Sequence, residues 1–112
     1  AVLRRTSEQT ARAEKLSFDG LQIDGVARSV EVDGRQVALT VREFDILFHL
    51  ASHPRQVFAR EQLLSSLWED EFEGDASTVT VHVRRLRAKI EADASRPVHV
   101  RTVWGVGYKF EP

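Results

Sequence analysis

Residues 76–92 read ASTVTVHVRRLRAKIEA, and the spacing inside that stretch decides what surrounds it. Val79, Val83, Leu86 and Ile90 recur at helical intervals and fall on one face. They predict a helix that starts near residues 76–78 and runs to about Ala92, with that stripe as its core side. The opposite face carries Ser77, Val81, Arg84, Arg85 and Ala88, with Thr78 at its edge. Arg87 and Lys89 flank the core stripe and point sideways. A surface helix kept for stability mixes charge signs for i,i+4 pairing; this outer face holds arginines and no carboxylate.

Working outward, two shorter helices precede it. Thr40-Val41-Arg42-Glu43 has the pattern of a capping box, with Thr40 as N-cap and Glu43 at N3. Phe44, Leu47, Phe48 and Ala51 then form an apolar stripe, and His53-Pro54 ends the helix, because the residue before proline disfavours the helical region. A second helix spans about Arg60 to Trp68 and buries Leu63, Leu64 and Leu67. Its N-cap position is Ala59, a poor cap, so that start is expected to fray. Downstream, Arg96-Pro97 marks a turn, and Val98–Val103 with Gly107–Phe110 predict a hairpin around Gly105-Val106-Gly107.

Towards the N-terminus the period changes to two, at Leu16/Phe18, Leu21/Ile23, Val30/Val32 and Val37/Leu39. Asp19-Gly20, Asp24-Gly25 and Asp33-Gly34 fall between these pairs, and Asp-Gly suits hairpins because both positions tolerate positive φ. A small antiparallel sheet, apolar on one face, is expected from residue 16. Residues 1–15 are polar and aperiodic and read as an interdomain linker. The order is sheet, three helices, hairpin: an α+β winged helix-turn-helix over 16–112.

Net charge is −1 over 112 residues, yet its distribution carries more information than its sum. Residues 69–75, EDEFEGD, are acidic without a basic residue. Residues 77–109 hold seven lysines and arginines against two carboxylates. With no cysteine, disulfides and zinc fingers are excluded,, which fits a reducing cytoplasm. The chain has neither an apolar run of spanning length nor an apolar signal segment. Methionine is absent even at position 1, so the chain is expected to be a piece of a longer protein.

The third helix has the chemistry of a major-groove reader. Small residues let a helix sit deep in the groove, a Val81 or Thr78 methyl can pack on a thymine methyl, and an arginine can pair with guanine O6 and N7. Whether Arg84 or Arg85 reads a base, or both clamp phosphates, is left open by the helical wheel. Arg87 and Lys89 are better placed for phosphates. A short basic hairpin with Thr102, Tyr108 and Lys109 beside its turn is expected to approach the duplex.

Four segments carry a family resemblance: Thr40–Leu47 (TVREFDIL), Arg60–Leu64 (REQLL), Thr78–Ile90 and Arg101–Tyr108 (RTVWGVGY). In that order they closely resemble the OmpR/PhoB-type winged-helix output domains of bacterial response regulators, over about residues 16–112. The resemblance implies transcriptional control, with a phosphorylatable receiver domain upstream. It also implies head-to-tail binding of two copies to direct-repeat half-sites. Carried over by position, the family's backbone contacts fall on Arg60, Trp68, His82, Arg87, Thr102 and Tyr108. Its recognition-helix contacts fall on Thr78, Thr80, Arg84 and Arg85. The loop between the second and third helices touches RNA polymerase in some members, and here it is the acidic 69–75. Departures are Ser77 and Thr80, where the family often has Arg and Asp, and Trp104, where it often has a minor-groove arginine. Trp104 is expected to pack back on the hairpin and third helix, since burying so large an apolar surface outweighs a rim contact.

Other constellations carry less. His49 and His53 have a metal-binding spacing but no third ligand. Gly105-Val106-Gly107 precedes no helix and is not a phosphate loop. Trp68 and the six phenylalanines are expected in the core. No catalytic set, cofactor motif or enzyme activity is indicated. The competing reading is a winged-helix protein-interaction module without DNA binding, using the acidic loop or the sheet face; the arginines on the third helix argue against it.

Overall fold

The computed structural model describes residues 15–68 and 76–112. The expected linker, apart from Lys15, and the acidic segment 69–75 lie outside the described residues. The described residues fall into two compact units, divided between Ala38 and Leu39.

The first unit is an antiparallel meander of β1 (Lys15–Phe18), β2 (Leu21–Asp24), β3 (Ser29–Val32) and β4 (Arg35–Val37), hydrogen-bonded in that order. Alternation puts Leu21, Ile23 and Val30 in the interior, with Leu16, Phe18 and Val37 half-buried. Asp33-Gly34 is a two-residue turn with both φ positive, 51° and 82°, the geometry that matches the twist of the flanking strands. Asp24-Gly25 behaves differently. Asp24 pairs with Ser29 across a four-residue loop, and its carboxylate accepts from the amides of Val26 and Ala27 at 3.0 and 3.1 Å. Positive φ falls on Arg28, not on Gly25. The last strand stops at Val37, so Leu39 lies beyond it.

The second unit holds α1 (Val41–Ala51), β5 (Phe58–Ala59), α2 (Arg60–Leu67), α3 (Ala76–Ile90), β6 (Val100–Val103) and β7 (Gly107–Phe110). The Thr40–Glu43 capping box is present: Thr40 Oγ1 accepts from the Glu43 amide at 3.2 Å, and Glu43 Oε1 accepts from the Thr40 amide at 3.0 Å. Helix α1 is buried over a wider arc than its first stripe indicates. Glu43, Ile46 and Leu50 are interior together with Phe44, Leu47 and Ala51, and Phe48 is half-buried, stacked on Phe44. The start of α2 is better held than Ala59 suggests, because Gln62 Oε1 accepts from the Ala59 amide at 2.7 Å. Trp68 is buried at the end of α2, whereas Leu67 is half-buried. The α3 stripe Val79, Val83, Leu86 and Ile90 is fully interior, as its spacing requires.

The hairpin is one side of a three-stranded sheet ordered β5-β7-β6. Strand β5, two residues without a period, is invisible to pattern reading; it pairs Phe58 with Tyr108 and Ala59 with Gly107. That pairing explains the second glycine of Gly105-Val106-Gly107. Gly105 makes the turn at φ +81°, but Gly107 is a strand residue, and a Cβ there would fall on the Phe58 carbonyl. Only glycine permits so close a backbone approach. Val98 and His99, expected in the strand, precede it. Helix α3 ends at Ile90, two residues before the expected end, as the chain turns towards β6.

Candidate nucleic-acid interface

Helix α3, the start of α2 and the β6–β7 wing enclose a cleft of about 600 Å³,. Arg60, Thr80, Arg84, Arg87, Thr102 and Tyr108 all line it, so six residues singled out in the sequence converge. Thr80 is the hub: its Oγ1 accepts from Arg60 Nη1 at 3.4 Å and from the Tyr108 hydroxyl at 3.3 Å. One hydroxyl thereby joins all three elements of the cleft.

Arg87 forms the floor. Its Nε donates to the Val100 carbonyl at 2.9 Å, its Nη2 donates to Thr102 Oγ1 at 2.7 Å, and its guanidinium lies 5.5 Å from the centre of the Tyr108 ring. Burial pulls the guanidinium below its ordinary pKa, while Tyr108 and Glu91 oppose that shift. Arg87 thus positions the wing as well as bringing charge to the cleft.

One helical turn on, buried Glu91 accepts from three consecutive backbone amides: Val98 at 2.8 Å, His99 at 3.1 Å and Val100 at 2.8 Å. Sequence reading missed it. Its one signal was a carboxylate four residues after Arg87, ahead of a segment with unpaired amides.

The outer face of α3 is open. Ser77, Val81, Arg84, Arg85 and Ala88 are exposed, and Thr78 is half-buried. Two other expected contacts stand apart from the cleft. Trp68 is only 7% exposed, with the Arg42 guanidinium 4.9 Å from its ring centre and His82 tilted against it at 5.4 Å. Arg42 also donates to the Leu67 carbonyl and pairs with Asp45 at 3.6 Å. Burial, then the nearby Arg85 charge, lowers the His82 pKa from 6.5. That direction favours the neutral ring, which offers a hydrogen bond rather than a counter-charge.

The two lysines are engaged elsewhere. Lys89 Nζ lies 2.7 Å from Glu43 Oε1, tying the end of α3 to the cap of α1. Burial raises the Glu43 pKa, but the Lys89 and Thr40 contacts outweigh it and leave the carboxyl below its ordinary value. Lys109 pairs with Glu111 at 3.2 Å. Lys89 was expected near phosphates and Lys109 beside the duplex at the wing; each has a carboxylate partner within the protein.

Trp104 overturns its expectation outright. It is 89% exposed, because the tight turn in which Val106 N–H donates to the Val103 carbonyl at 2.9 Å holds it at the tip of the wing. His49 and His53 form an aromatic cluster with Phe58, at 4.7 and 5.6 Å between ring centres. Among the described residues no group of three or more His, Asp or Glu could hold a metal, and no helix is long and apolar enough to cross a membrane.

The fold and sequence recur in known proteins. The family described as transcriptional regulatory protein, C terminal, matches residues 34–110. The transcriptional regulatory protein SrrA of Staphylococcus aureus is 45% identical across 99% of this chain and 49% of its own length. The chain therefore spans about half the length of that relative. The response regulator DrrB of Thermotoga maritima, an OmpR/PhoB homologue, superposes with a TM-score of 0.86 at 34% identity, covering 98% of this chain and 49% of DrrB. The DNA-binding domain of Klebsiella pneumoniae RstA, solved in complex with the RstA box, superposes with a TM-score of 0.78 at 38% identity, covering 88% of this chain and 97% of that domain. With three helices, a four-stranded N-terminal sheet and a wing among its described residues, the chain belongs to the family of C-terminal domains of transcriptional regulatory proteins.

Proposed function

We propose that this chain binds double-stranded DNA in a sequence-dependent way to regulate transcription, as the output part of a response regulator. The observation that carries this reading is the outer face of α3. Arg84 and Arg85 are exposed there beside small residues and Val81, and no carboxylate lies among them. Laid in the major groove, that face brings arginine donors to base edges and a methyl surface to thymine. Arg60, Thr80, Thr102 and Tyr108 then face the sugar-phosphate backbone, with Arg87 adding charge from the cleft floor. Thr78 sits at the edge of the reading face, and His82 and Trp68 flank it. Lys89 and Lys109 act mainly through their carboxylate partners. RstA, 38% identical over 88% of this chain, is the relative whose DNA complex supports the reading.

In the whole protein a receiver domain precedes this part and supplies the phosphorylation-controlled contact. Two copies bind direct-repeat half-sites, and the acidic 69–75 contacts RNA polymerase. The protein acts in the cytoplasm and performs no catalysis of its own. The test is selection of bound sequences from a random duplex pool at stated salt. Enrichment of a defined half-site, lost in Arg84→Ala with Arg85→Ala, is the expected result. Recovery of no preferred sequence would refute sequence-dependent binding.

A further inference from the structure

The wing tip exposes an indole that the fold itself does not use. Trp104 is 89% exposed and Val106, beside it, 54%. Both are braced. Gly105 at φ +81° closes the turn, and the strand leading to it is held by Arg87 at Val100 and Thr102 and by Glu91 at the Val100 amide. Trp104 and Val106 together make an apolar patch rimmed by Arg60, Arg84 and Arg87, a combination that fits a contact surface. The company it keeps limits the partner: Trp104 lines the same cleft as Arg60, Arg84 and Arg87, with Glu61 the one carboxylate among the lining residues. The occupant must offer anionic acceptors and an apolar ring within one side chain's reach of each other. A nucleic-acid backbone, alternating phosphate and sugar, has that composition.

We propose that Trp104 packs its indole face on a deoxyribose ring of bound duplex DNA, next to phosphates taken by Arg60 and Arg87. The inference rests on the DNA-binding reading above. The contact is uncharged, so it releases no counterion; Trp104 adds affinity without adding to the salt dependence.

The experiment uses the whole chain and short duplexes that it selects from a random pool. Trp104→Ala is expected to weaken binding about tenfold, on the scale of partial burial of an aromatic side chain. The slope of log K against log salt should stay at the parent's value. Trp104→Phe should retain most of the affinity, and Trp104→Arg should steepen the slope by about one phosphate's worth, ~0.9. Melting temperature should not change in Trp104→Ala, which separates a contact from a structural role. Tryptophan emission, taken as the difference between the parent and Trp104→Phe, should lose its quenching by acrylamide when duplex is added. Undiminished affinity in Trp104→Ala, or continued quenching in the complex, overturns the proposal and leaves DNA binding standing. Shielding that develops at high protein concentration without DNA also overturns it and assigns the indole to a contact between copies. Failure of the parent to bind any duplex would remove the underlying reading and this inference with it.

Discussion

Arg87, in the last turn of α3, and Glu91, the residue just beyond its end, grip opposite sides of the same residue. Arg87 Nε donates to the Val100 carbonyl at 2.9 Å, and Glu91 Oε2 accepts from the Val100 amide at 2.8 Å. The pair transmits the position of the reading helix to the wing, so the spacing between groove and backbone contacts is set by the last turn of α3. Glu91→Ala leaves three amides without their acceptor and is expected to cost about 2–4 kcal/mol, since a buried orphan donor costs about 1–3 kcal/mol and the segment can partly rehydrate. Urea unfolding measures the loss, and hydrogen exchange at Val98–Val100 should accelerate. An unchanged unfolding midpoint would show that the clasp contributes nothing.

Lys89 should act on stability more than on DNA. Lys89→Ala strands the buried Glu43 carboxylate, at a cost of about 1–2 kcal/mol; the figure is reduced because the lysine side chain is 37% exposed and screened,. Arg85→Ala should leave melting unchanged and relax preference at one base pair by about 1–3 kcal/mol. Melting curves and binding to single-base operator variants separate the two. Uniform weakening across all variants from Arg85→Ala would make that arginine a phosphate contact.

The two wing glycines should respond differently to alanine. Gly107→Ala drives a methyl into the Phe58 backbone and should cost about 1–3 kcal/mol or more, with loss of the β5 pairing. Gly105→Ala meets nothing within 4 Å and suffers only the left-handed backbone penalty, about 1–2 kcal/mol. Equal destabilisation of the two variants in thermal melting would contradict the close approach of β5 to β7.

Acidification should destabilise the fold before any carboxylate titrates. Burial depresses the pKa of both His82 and His49, with Arg85 and His53 respectively adding repulsion, below the ordinary 6.5. With the folded values below the unfolded ones, the unfolded chain binds more protons as pH drops through 6.5, and unfolding becomes easier. Stability is thus greatest above that pH and declines below it. Denaturant titrations between pH 7.5 and 5.5, at constant salt, should show the decline in the parent and a shallower one in His82→Gln. A flat profile in the parent would mean that neither ring is held neutral by its surroundings.

What the sequence determined by itself was local. The Val79–Val83–Leu86–Ile90 stripe, the Thr40–Glu43 box and the Asp33-Gly34 turn are each settled by residues at most one or a few helical turns apart, where backbone geometry alone dictates which side chains meet. The charged outer face of α3 was legible for the same reason: whatever lies opposite a core stripe is exposed. Tertiary structure decided the rest. Lys89 reaches Glu43 across 46 positions, β5 exists only because β7 lies beside it, and Gly107 is needed only because that pairing is so close. Composition placed Trp104 in the core by its apolar area, but area favours burial only where the fold brings a surface to cover it. The turn at Gly105 points the indole away from one. Periodicity reports which side of an element is inside; which distant group a side chain finds there, or fails to find, depends on how the elements pack.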